Sequence, residues 1–416
     1  MSTRRTIGLA ACIALAAIYA CLAARSFQAA RLASSLDVPS LERAIALEPR
    51  DAAHQDLLCR FLLFDTQAAA AALPRCQLAT ELNPYNSAYW LDLALAYYNT
   101  GAEQEQQQAI REAVSVDPMT PDVAWNAANL YLAQGAIPEA LHQFSVAMRG
   151  DPNTVQPALA LCWRTLHDAG AIQAILPPDP DAYLQFIRLL TANNQWEAAH
   201  QAWSAMVQLN RAVDYRYALF YVDGLLQRHE VARANEAWEQ LVPRSPTLGL
   251  YSRSDNLVVD GGFEQPILNA GFDWRYSPQP ACSVSLETTE FHSGRQSLLV
   301  SYNGAGGDSG ILQYVPVKPN TQYTVSGWAK SEQLDAANGP LISLWDTNDG
   351  KPVAQTQETL GTTPWHRVEA SFQTGQQTEL VAIRITREPA NTHVRGKFWL
   401  DDVSLQTAVP PLHPQQ

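Results

Sequence analysis

Apolar residues recur at helical spacing through the first part of the chain, up to Pro243. Prolines follow these stretches at regular steps. Pro49, Pro84, Pro118 and Pro152 are separated by 35, 34 and 34 residues (84−49, 118−84, 152−118). Because proline lacks an N–H and fixes φ, each marks the end of a helix. A step of 34 residues indicates two-helix units stacked on copies of themselves.

The residues between the prolines support this interpretation. In the unit ending at Pro118, one face of each helix carries large and small apolar side chains at helical spacing: Trp90, Leu93, Ala94 and Tyr97, then Ile110 and Ala113. This pattern resembles the tetratricopeptide repeat (TPR) family, although Gln106 stands where the family prefers a small residue. The resemblance implies a groove that holds a peptide or partner protein. Candidate groove residues are Trp125 and Asn129, with ordinary surface residues as the alternative.

The array is expected to contain about five full helix pairs. Residues 28–48 form an amphipathic half-unit, and units at 53–84, 87–118 and 121–152 follow. The rhythm breaks over 153–179, which ends in the proline-rich phrase LPPDPD, and two further pairs then run to Pro243. Such arrays form a curved superhelix with a concave groove.

An uncharged apolar run from Ile7 to Ala24 precedes the repeats. At ~1.5 Å per residue it makes roughly 27 Å of helix, close to the ~30 Å hydrocarbon core of a membrane. Two interpretations fit: a cleaved secretory signal, or an uncleaved signal anchor. We favour the anchor because the apolar core of a signal peptide usually spans only about 7–15 residues. Arg4 and Arg5 favour a cytoplasmic N-terminus, although Arg25 weakens the bias.

The pattern changes to period-two alternation from Asn256 onward. Short runs such as QYTVSGWAKS, PLISLWDT and ELVAIRIT are bounded by Gly, Pro, Asn or Asp. Many short strands at near-regular spacing predict a β-sandwich or jelly roll. The predicted organisation is therefore multidomain, an all-α array followed by an all-β sandwich. Its segments are an N-terminal signal or anchor at 1–27, repeats at 28–246, a linker at 247–254, the sandwich at 255–407 and a loose tail at 408–416.

Several phrases of the β-region occur in an order that resembles the CenC-type carbohydrate-binding modules, which share the galactose-binding-like jelly roll. They are NLVVDGGFE (256–264), FHSGRQSLLV (291–300), VKPNTQYTVSGWAKS (317–331), TPWHRVEASF (363–372) and FWLDDVSL (398–405). The resemblance implies a structural calcium ion that ties the first strand to the last. The matching positions are Glu264 and Asp401 or Asp402, whose carboxylates are hard ligands of the kind Ca²⁺ needs. Solvated surface carboxylates are the alternative.

Sugar binding in such folds relies on aromatic faces that pack against pyranose C–H groups, beside polar groups that bond the hydroxyls. Trp274, Tyr276 and Trp345 are the candidates, and Trp345 is the best because Asp346 and Asn348 follow it at a strand end. The remaining tryptophans of the sandwich are expected in its core: Trp328, Trp365 and Trp399.

Composition narrows the function. The net charge is −13 with 17% charged residues, so nucleic acid is a poor partner, since phosphate contacts need clustered Lys and Arg.

Cys59 and Cys76 fall on the two helices of one repeat; a disulfide is one interpretation, and we favour two buried thiols. No GxSxG, HExxH or phosphate-loop motif occurs, and an adjacent strand pair such as Asp401–Asp402 points to opposite faces. We therefore expect no enzyme.

Together these features predict a membrane-tethered scaffold of the bacterial cell envelope. It is anchored in the inner membrane by its N-terminal helix, with its bulk extracytoplasmic, or secreted if that segment is cleaved. The repeats dock a protein or peptide and the sandwich binds a polysaccharide or oligosaccharide, plausibly during assembly of exopolysaccharide or surface glycan. The alternatives are a pure interaction protein, or a secreted accessory factor of carbohydrate degradation.

Overall fold

A computed structural model describes residues 3–253 and 255–408. The predicted tail from 409 onward lies outside the described residues. The chain divides into two compact units, 1–203 and 204–416. The helices, numbered in chain order, are α1 Thr3–Ala33, α2 Val38–Leu47, α3 Ala52–Phe64, α4 Ala69–Leu82, α5 Ser87–Thr100, α6 Glu103–Val116, α7 Pro121–Ala133, α8 Ile137–Gly150, α9 Val155–Leu166, α10 Ala169–Ala174, α11 Pro180–Ala192, α12 Trp196–Gln208, α13 Tyr215–Gln227 and α14 Val231–Leu241.

The first unit contains the predicted repeats. Helices α3 to α8 pack as successive pairs, and each second helix ends two residues before Pro84, Pro118 or Pro152. The small positions of the pattern are fully buried, which lets paired helices approach closely. They include Ala94, Ala113, Ala127 and Ala140. Gln106 is buried with them, and its Nε2 has no hydrogen-bond partner.

Helix α1 carries the predicted apolar segment. Its stretch Ile7–Ala33 is long and apolar enough to cross a membrane, and a signal sequence has the same properties. The end of the helix is packed, where Ala29 and Ala33 meet Leu41 and Ala44 of α2. The C-terminal turns of α1 are therefore part of the repeat core, whereas the apolar side chains that precede them are exposed.

Cys59 of α3 and Cys76 of α4 form a disulfide, so our preference for two free thiols is corrected. The two helices of one repeat face each other at these positions, which brings the Cα atoms to 5.3 Å, within the range a disulfide bridges. Both side chains are fully buried. Among the described residues Cys162 and Cys282 are buried free thiols.

The second unit contains two five-stranded antiparallel sheets packed face to face. Their strands are β1 Arg275–Tyr276, β2 Cys282–Glu287, β3 Ser297–Asn303, β4 Ile311–Pro316, β5 Gln322–Ala336, β6 Leu341–Asp346, β7 Pro352–Gln355, β8 Gly361–Gln373, β9 Leu380–Thr386 and β10 Val394–Thr407. The first sheet has the order β1-β4-β9-β6-β7 and the second β2-β3-β10-β5-β8. Alternate residues of both sheets fill one apolar core, including Val300, Val325, Leu344, Ile383 and Leu400.

Helices α13 and α14 belong to the same unit as the sandwich, so the division lies earlier than the predicted boundary near residue 250. Gly271 and Phe272 of the β-region pack against Trp238 of α14; the two aromatic rings meet edge-to-face at 6.0 Å. A side chain at Gly271 would collide with Trp238. The predicted linker 247–254 contains a short 3₁₀ helix, Leu248–Tyr251, with Leu248 and Tyr251 buried.

The disulfide predicts a stability difference. Replacing both Cys59 and Cys76 with Ser should destabilise the first unit by about 3 kcal/mol, the loop-entropy value for a closed loop of roughly 15 residues. Urea unfolding followed by circular dichroism measures this, with Cys162→Ser as the matched control. Rapid alkylation of Cys59 in the native, unreduced protein would contradict the assignment.

Candidate functional site

The outward face of the first sheet is defined by the register of its central strand, β9. Arg384 of β9 lies between Leu312 of β4 and Ser343 of β6. In the next outward row, Ala382 of β9 lies between Tyr314 of β4 and Trp345 of β6. Because neighbouring strands are ~4.8 Å apart, the two aromatic residues originate roughly 10 Å from each other.

A small residue lies between the two aromatic residues. Ala382 contributes only a methyl group between Tyr314 and Trp345, and this residue is 1% exposed. The Trp345 indole is held in place, because its Nε1 donates to Ser343 Oγ at 3.1 Å, and Ser343 Oγ also accepts from Thr386 Oγ1 at 2.8 Å. An ordered, half-buried aromatic side chain is suited to the apolar face of a sugar ring.

Two arginines accompany these rings. The Arg384 guanidinium carbon lies 5.1 Å from the centre of the Trp345 ring, and that of Arg275 lies 5.3 Å from the centre of the Tyr314 ring. Both distances are within cation–π range. The face therefore combines apolar surface with hydrogen-bond donors that carry positive charge.

Helix α13 supplies a wall at one side of this face. Asp223 accepts hydrogen bonds from Arg275 Nη2 at 2.5 Å and from the Gly271 N–H at 2.8 Å. This ion pair joins the helix to the edge strand β1. Helix and sheet then enclose a pocket of about 450 Å³, within the size range of small-molecule sites. Its lining includes Gln227 and His229 on the helical side, and Arg384, Trp345 and Thr347 on the sheet side.

Of the predicted sugar-binding residues, Trp345 and Asp346 line this pocket. Asp346 is buried, and its carboxylate accepts from the Thr378 hydroxyl and from the Asn348 N–H. It shapes the turn rather than offering a free carboxylate. Asn348 is exposed in that turn. Tyr276 is half-buried on β1 and packs against the sandwich core.

The prediction that Trp274 contributes to a sugar-binding surface is wrong. Its side chain is fully buried, its ring lies 4.9 Å from that of Phe263, and its Nε1 donates to the Asp260 carbonyl at 3.0 Å. No face of this ring is open to a sugar. The residue precedes strand β1, where the chain turns into the core, so alternation along a strand does not govern its direction.

Trp328 and Trp365 are not in the core as predicted; they are half-buried on the outer face of the second sheet. The His292 ring stacks on Trp328 at 3.8 Å and meets Trp365 edge-on at 5.9 Å. Trp399 is buried, but it lies outside the apolar core cluster, with Lys330 and Lys397 near its ring, so its prediction as a core residue is also wrong. Position 327 of β5 faces the core, so the alternation along this strand places the side chain of the next residue, Trp328, on the outer face.

The predicted metal ligands surround one loop. Asp401 Oδ2 accepts from the N–H groups of His292 and Ser293, whereas Asp402 contacts their side chains, with 2.7 Å between its Oδ2 and His292 Nδ1. Asp402 has φ 47°, and the pairing of β10 shifts between Asp401 and Ser404. This bulge lets adjacent carboxylates serve the same loop, which corrects our statement that they point to opposite faces.

Glu264, Asp401 and Asp402 offer carboxylate oxygens, which are the kind of ligand that calcium prefers. A methyl group on Gly262 would lie 3.7–3.8 Å from atoms of Glu264, Asp401 and Asp402, so all three converge on this glycine. Burial raises the pKa of Asp401, and a cation would offset that penalty. Their oxygens already accept protein N–H and O–H donors. Among the described residues, ligand atoms mutually within 4.8 Å occur instead at Glu48, Asp51 and His54.

The predicted groove lies on the first helices of the repeats. Asn129 of α7 lines a cavity of about 420 Å³ with Asp92 of α5 and Arg60 of α3. Trp125 is half-buried and packs edge-on against Phe144 at 5.5 Å. It does not line that cavity.

Two carboxyl groups lie together at this groove. Burial raises the pKa values of both Asp56 and Asp92, and the charge of Asp92 raises the pKa of Asp56 further. Among the described residues, Asp56 Oδ1 has no hydrogen-bond partner. Sequence alone did not mark this pair, because the two residues are on different repeats.

These raised pKa values predict a pH dependence. The folded state binds more protons than the unfolded state above about pH 4, so stability falls as the pH rises through the folded-state pKa values. Asp56→Asn should abolish part of this loss and be more stable than the wild type at pH 8, on the order of 1 kcal/mol. Urea unfolding at pH 5 and pH 8 measures the effect.

The control is Asp37→Asn, at an exposed helix N-cap whose hydrogen bond from the Ser40 N–H lowers the aspartate pKa. Asparagine can also cap the helix, and we expect no gain at pH 8. Equal pH dependence in Asp56→Asn and the wild type would contradict the assignment.

Comparison with known proteins concerns mainly the sandwich. No curated protein matches the chain. Solved structures that are similar include one titled CBM4 structure and function (15% identity, TM-score 0.29, 36% of this chain and 99% of that chain). Another is the CBM22-1 xylan-binding domain of Paenibacillus barcinonensis Xyn10C (16%, 0.26, 38% and 97%). A third is Pseudomonas aeruginosa pilF (16%, 0.28, 47% and 93%). Residues 255–392, within the C-terminal sandwich, match the family model described as a carbohydrate binding domain.

Proposed function

We propose that this protein is a non-catalytic scaffold of the bacterial cell envelope that binds a glycan through the outward face of the first sheet. The observation that carries the proposal is the aromatic pair Tyr314 and Trp345, flanking Ala382 inside a pocket of about 450 Å³. Aromatic faces beside directed polar groups are how such pockets hold sugars. The family match over 255–392 supports this assignment, and we assign the module to the CenC type.

The repeats dock a protein or peptide in this proposal. Their groove carries Asn129 beside Arg60 and the Asp56–Asp92 pair, a set of polar groups among apolar neighbours such as Leu91. Similarity of the helical part to pilF agrees with a repeat scaffold in fold only. The partner and the glycan together would place the protein in assembly of exopolysaccharide or surface glycan.

Location outside the cytoplasm is supported by two features. The disulfide between Cys59 and Cys76 is of a kind that persists in oxidising compartments. The apolar stretch Ile7–Ala33 is long enough to cross a membrane. We propose an inner-membrane anchor, and membrane fractionation after carbonate washing tests it: an anchor stays in the pellet, whereas a cleaved form is soluble and starts after the apolar run.

The glycan-binding role predicts a loss on Trp345→Ala. Removing a central aromatic should weaken binding by about 2 kcal/mol, roughly 30-fold, with the melting temperature nearly unchanged because the indole is half-buried on an outer face. Affinity electrophoresis against plant and bacterial polysaccharides measures it. Trp365→Ala on the opposite sheet is the control and should retain binding.

Two results would contradict the proposal. One is unchanged retention by Trp345→Ala of a polysaccharide that the wild type binds. The other is no retention of any polysaccharide by the wild type. The second result favours a pure interaction protein, and a pull-down on the repeats, 28–246, then becomes the informative assay.

The calcium proposal is structural and is tested separately. Calcium held by Glu264, Asp401 and Asp402 would bind only the folded state and stabilise it by about 2.7 kcal/mol at a hundredfold excess over Kd. Thermal unfolding with CaCl₂ or EDTA measures this. The Asp401→Asn variant should lose the calcium response and also unfold at lower temperature, because Asp401 anchors the N–H groups of His292 and Ser293. A wild-type melting temperature equal in both solutions contradicts a bound ion.

A further inference from the structure

Within the described residues, the pocket contains an arginine, Arg384, for which no ion pair or side-chain hydrogen bond is formed. Arg384 lies on the central strand, half-buried, with its guanidinium carbon 5.1 Å from the Trp345 ring centre. Its Nε is buried and has no hydrogen-bond partner in the described part of the chain. Guanidinium groups usually satisfy their fork of donors with carboxylate or phosphate oxygens.

The carboxylates near Arg384 are engaged elsewhere. Asp223 bonds to Arg275 and to the Gly271 N–H. Asp346 bonds to Thr378 and to the Asn348 N–H. Asp308 attracts Arg384 by its charge, without a direct hydrogen bond among the described residues. The Asp308 Oδ1 atom accepts a hydrogen bond from the Ser309 N–H at 2.8 Å. A positive charge at the centre of the face is therefore left with free donors.

The ion pair at the pocket edge also supports Arg384 as the charged group that is open to a ligand. Arg275 and Asp223 neutralise each other at 2.5 Å and have side-chain exposures of 23% and 24%. The remaining groups on the helical side, Gln227 and His229, are hydrogen-bonding groups that suit sugar hydroxyls. Arg384 thus determines the charge that a ligand should carry.

The position of Arg384 relative to the rings specifies the geometry of that ligand. It is two residues along β9 from Ala382, roughly 6.8 Å, on the same outward face. A sugar ring that packs against the Trp345 side chain would direct a ring substituent toward the guanidinium, whose carbon lies 5.1 Å from the indole centre. A planar carboxylate can accept two parallel N–H bonds from that fork.

We propose that the pocket binds an acidic saccharide, with the carboxylate of a uronic acid residue on Arg384 and its ring against Trp345. This inference rests on the proposed glycan-binding function and names its ligand class. The hydroxyl oxygens of a neutral glycan accept weaker hydrogen bonds from the guanidinium than a carboxylate does, which favours the acidic ligand. Binding of an acidic glycan should also weaken with salt.

The test uses the full-length protein and two polyuronates, polygalacturonate and alginate, each compared with its carboxyl-reduced, neutral form. Affinity is measured by isothermal titration at low and high ionic strength. We expect the native polymer to bind on the order of 10- to 100-fold more tightly than the reduced one, the size of a charge-assisted hydrogen bond. Arg384→Met should remove this preference, so that the variant binds the native and the reduced polymer with about equal affinity.

Controls separate charge from folding. Arg367→Met removes an exposed arginine on the opposite sheet and should bind as the wild type does. Arg384→Lys keeps the charge without the planar fork and should retain part of the preference. Circular dichroism melts verify that each variant is folded, and Arg384→Gln replaces the Met variant if that one unfolds.

Each remaining outcome overturns the inference in a distinct way. Equal binding of native and reduced polymers by the wild type shows a neutral-glycan site, and the proposed function survives. A sulfated polysaccharide is titrated in the same way, and a preference for it over both polyuronates shows a different anion. Retention of the carboxylate preference in Arg384→Met places the anion elsewhere. No binding of any polymer removes both the inference and the proposed function.

Discussion

The antiparallel register of strand β9 is the constraint on which the site depends. Pairing of Ala382 with both Tyr314 and Trp345 places two aromatic side chains in one row with a methyl group between them. The same register places Arg384 in the adjacent outward row. A slip of one residue would turn this set inward and expose Val381 and Ile383 to water. The buried apolar residues of β9 therefore fix the composition of the opposite, functional face.

The second constraint is the attachment of helix α13 to the edge of the sheet. Asp223 bridges the helix to Arg275 and to the Gly271 backbone, and Gly271 permits the close approach of Trp238. Without this helix the face would be open on that side. With it, the aromatic pair lies in a pocket, where partial exclusion of water strengthens polar contacts. The last helices thus complete the site of the sandwich, although their sequence pattern belongs to the repeats.

Much of this organisation could be predicted from local pattern. Proline spacing and small residues such as Ala113 identify the repeats, and period-two runs identify the strands. Trp345 was found because it ends an alternating run. Arg384, Tyr314 and Asp223 were not, since their association depends on non-local pairing that single-chain periodicity does not contain. Trp274 and Asp402 show the complementary limit. Trp274 precedes strand β1, so no strand pattern gives its direction, and at Asp402 a β-bulge breaks the alternation rule that the sequence analysis applied.

The most direct test of glycan binding at the Trp345 face observes the tryptophan side chains during glycan titration. In ¹⁵N-labelled protein each indole N–H gives a separate resonance. The account predicts that a bound oligosaccharide shifts the Trp345 indole signal, whose N–H bonds to Ser343 at 3.1 Å, and leaves those of Trp365 and Trp399 in place. Shifts confined to Trp328 and Trp365 would move the binding surface to the opposite sheet and contradict the account.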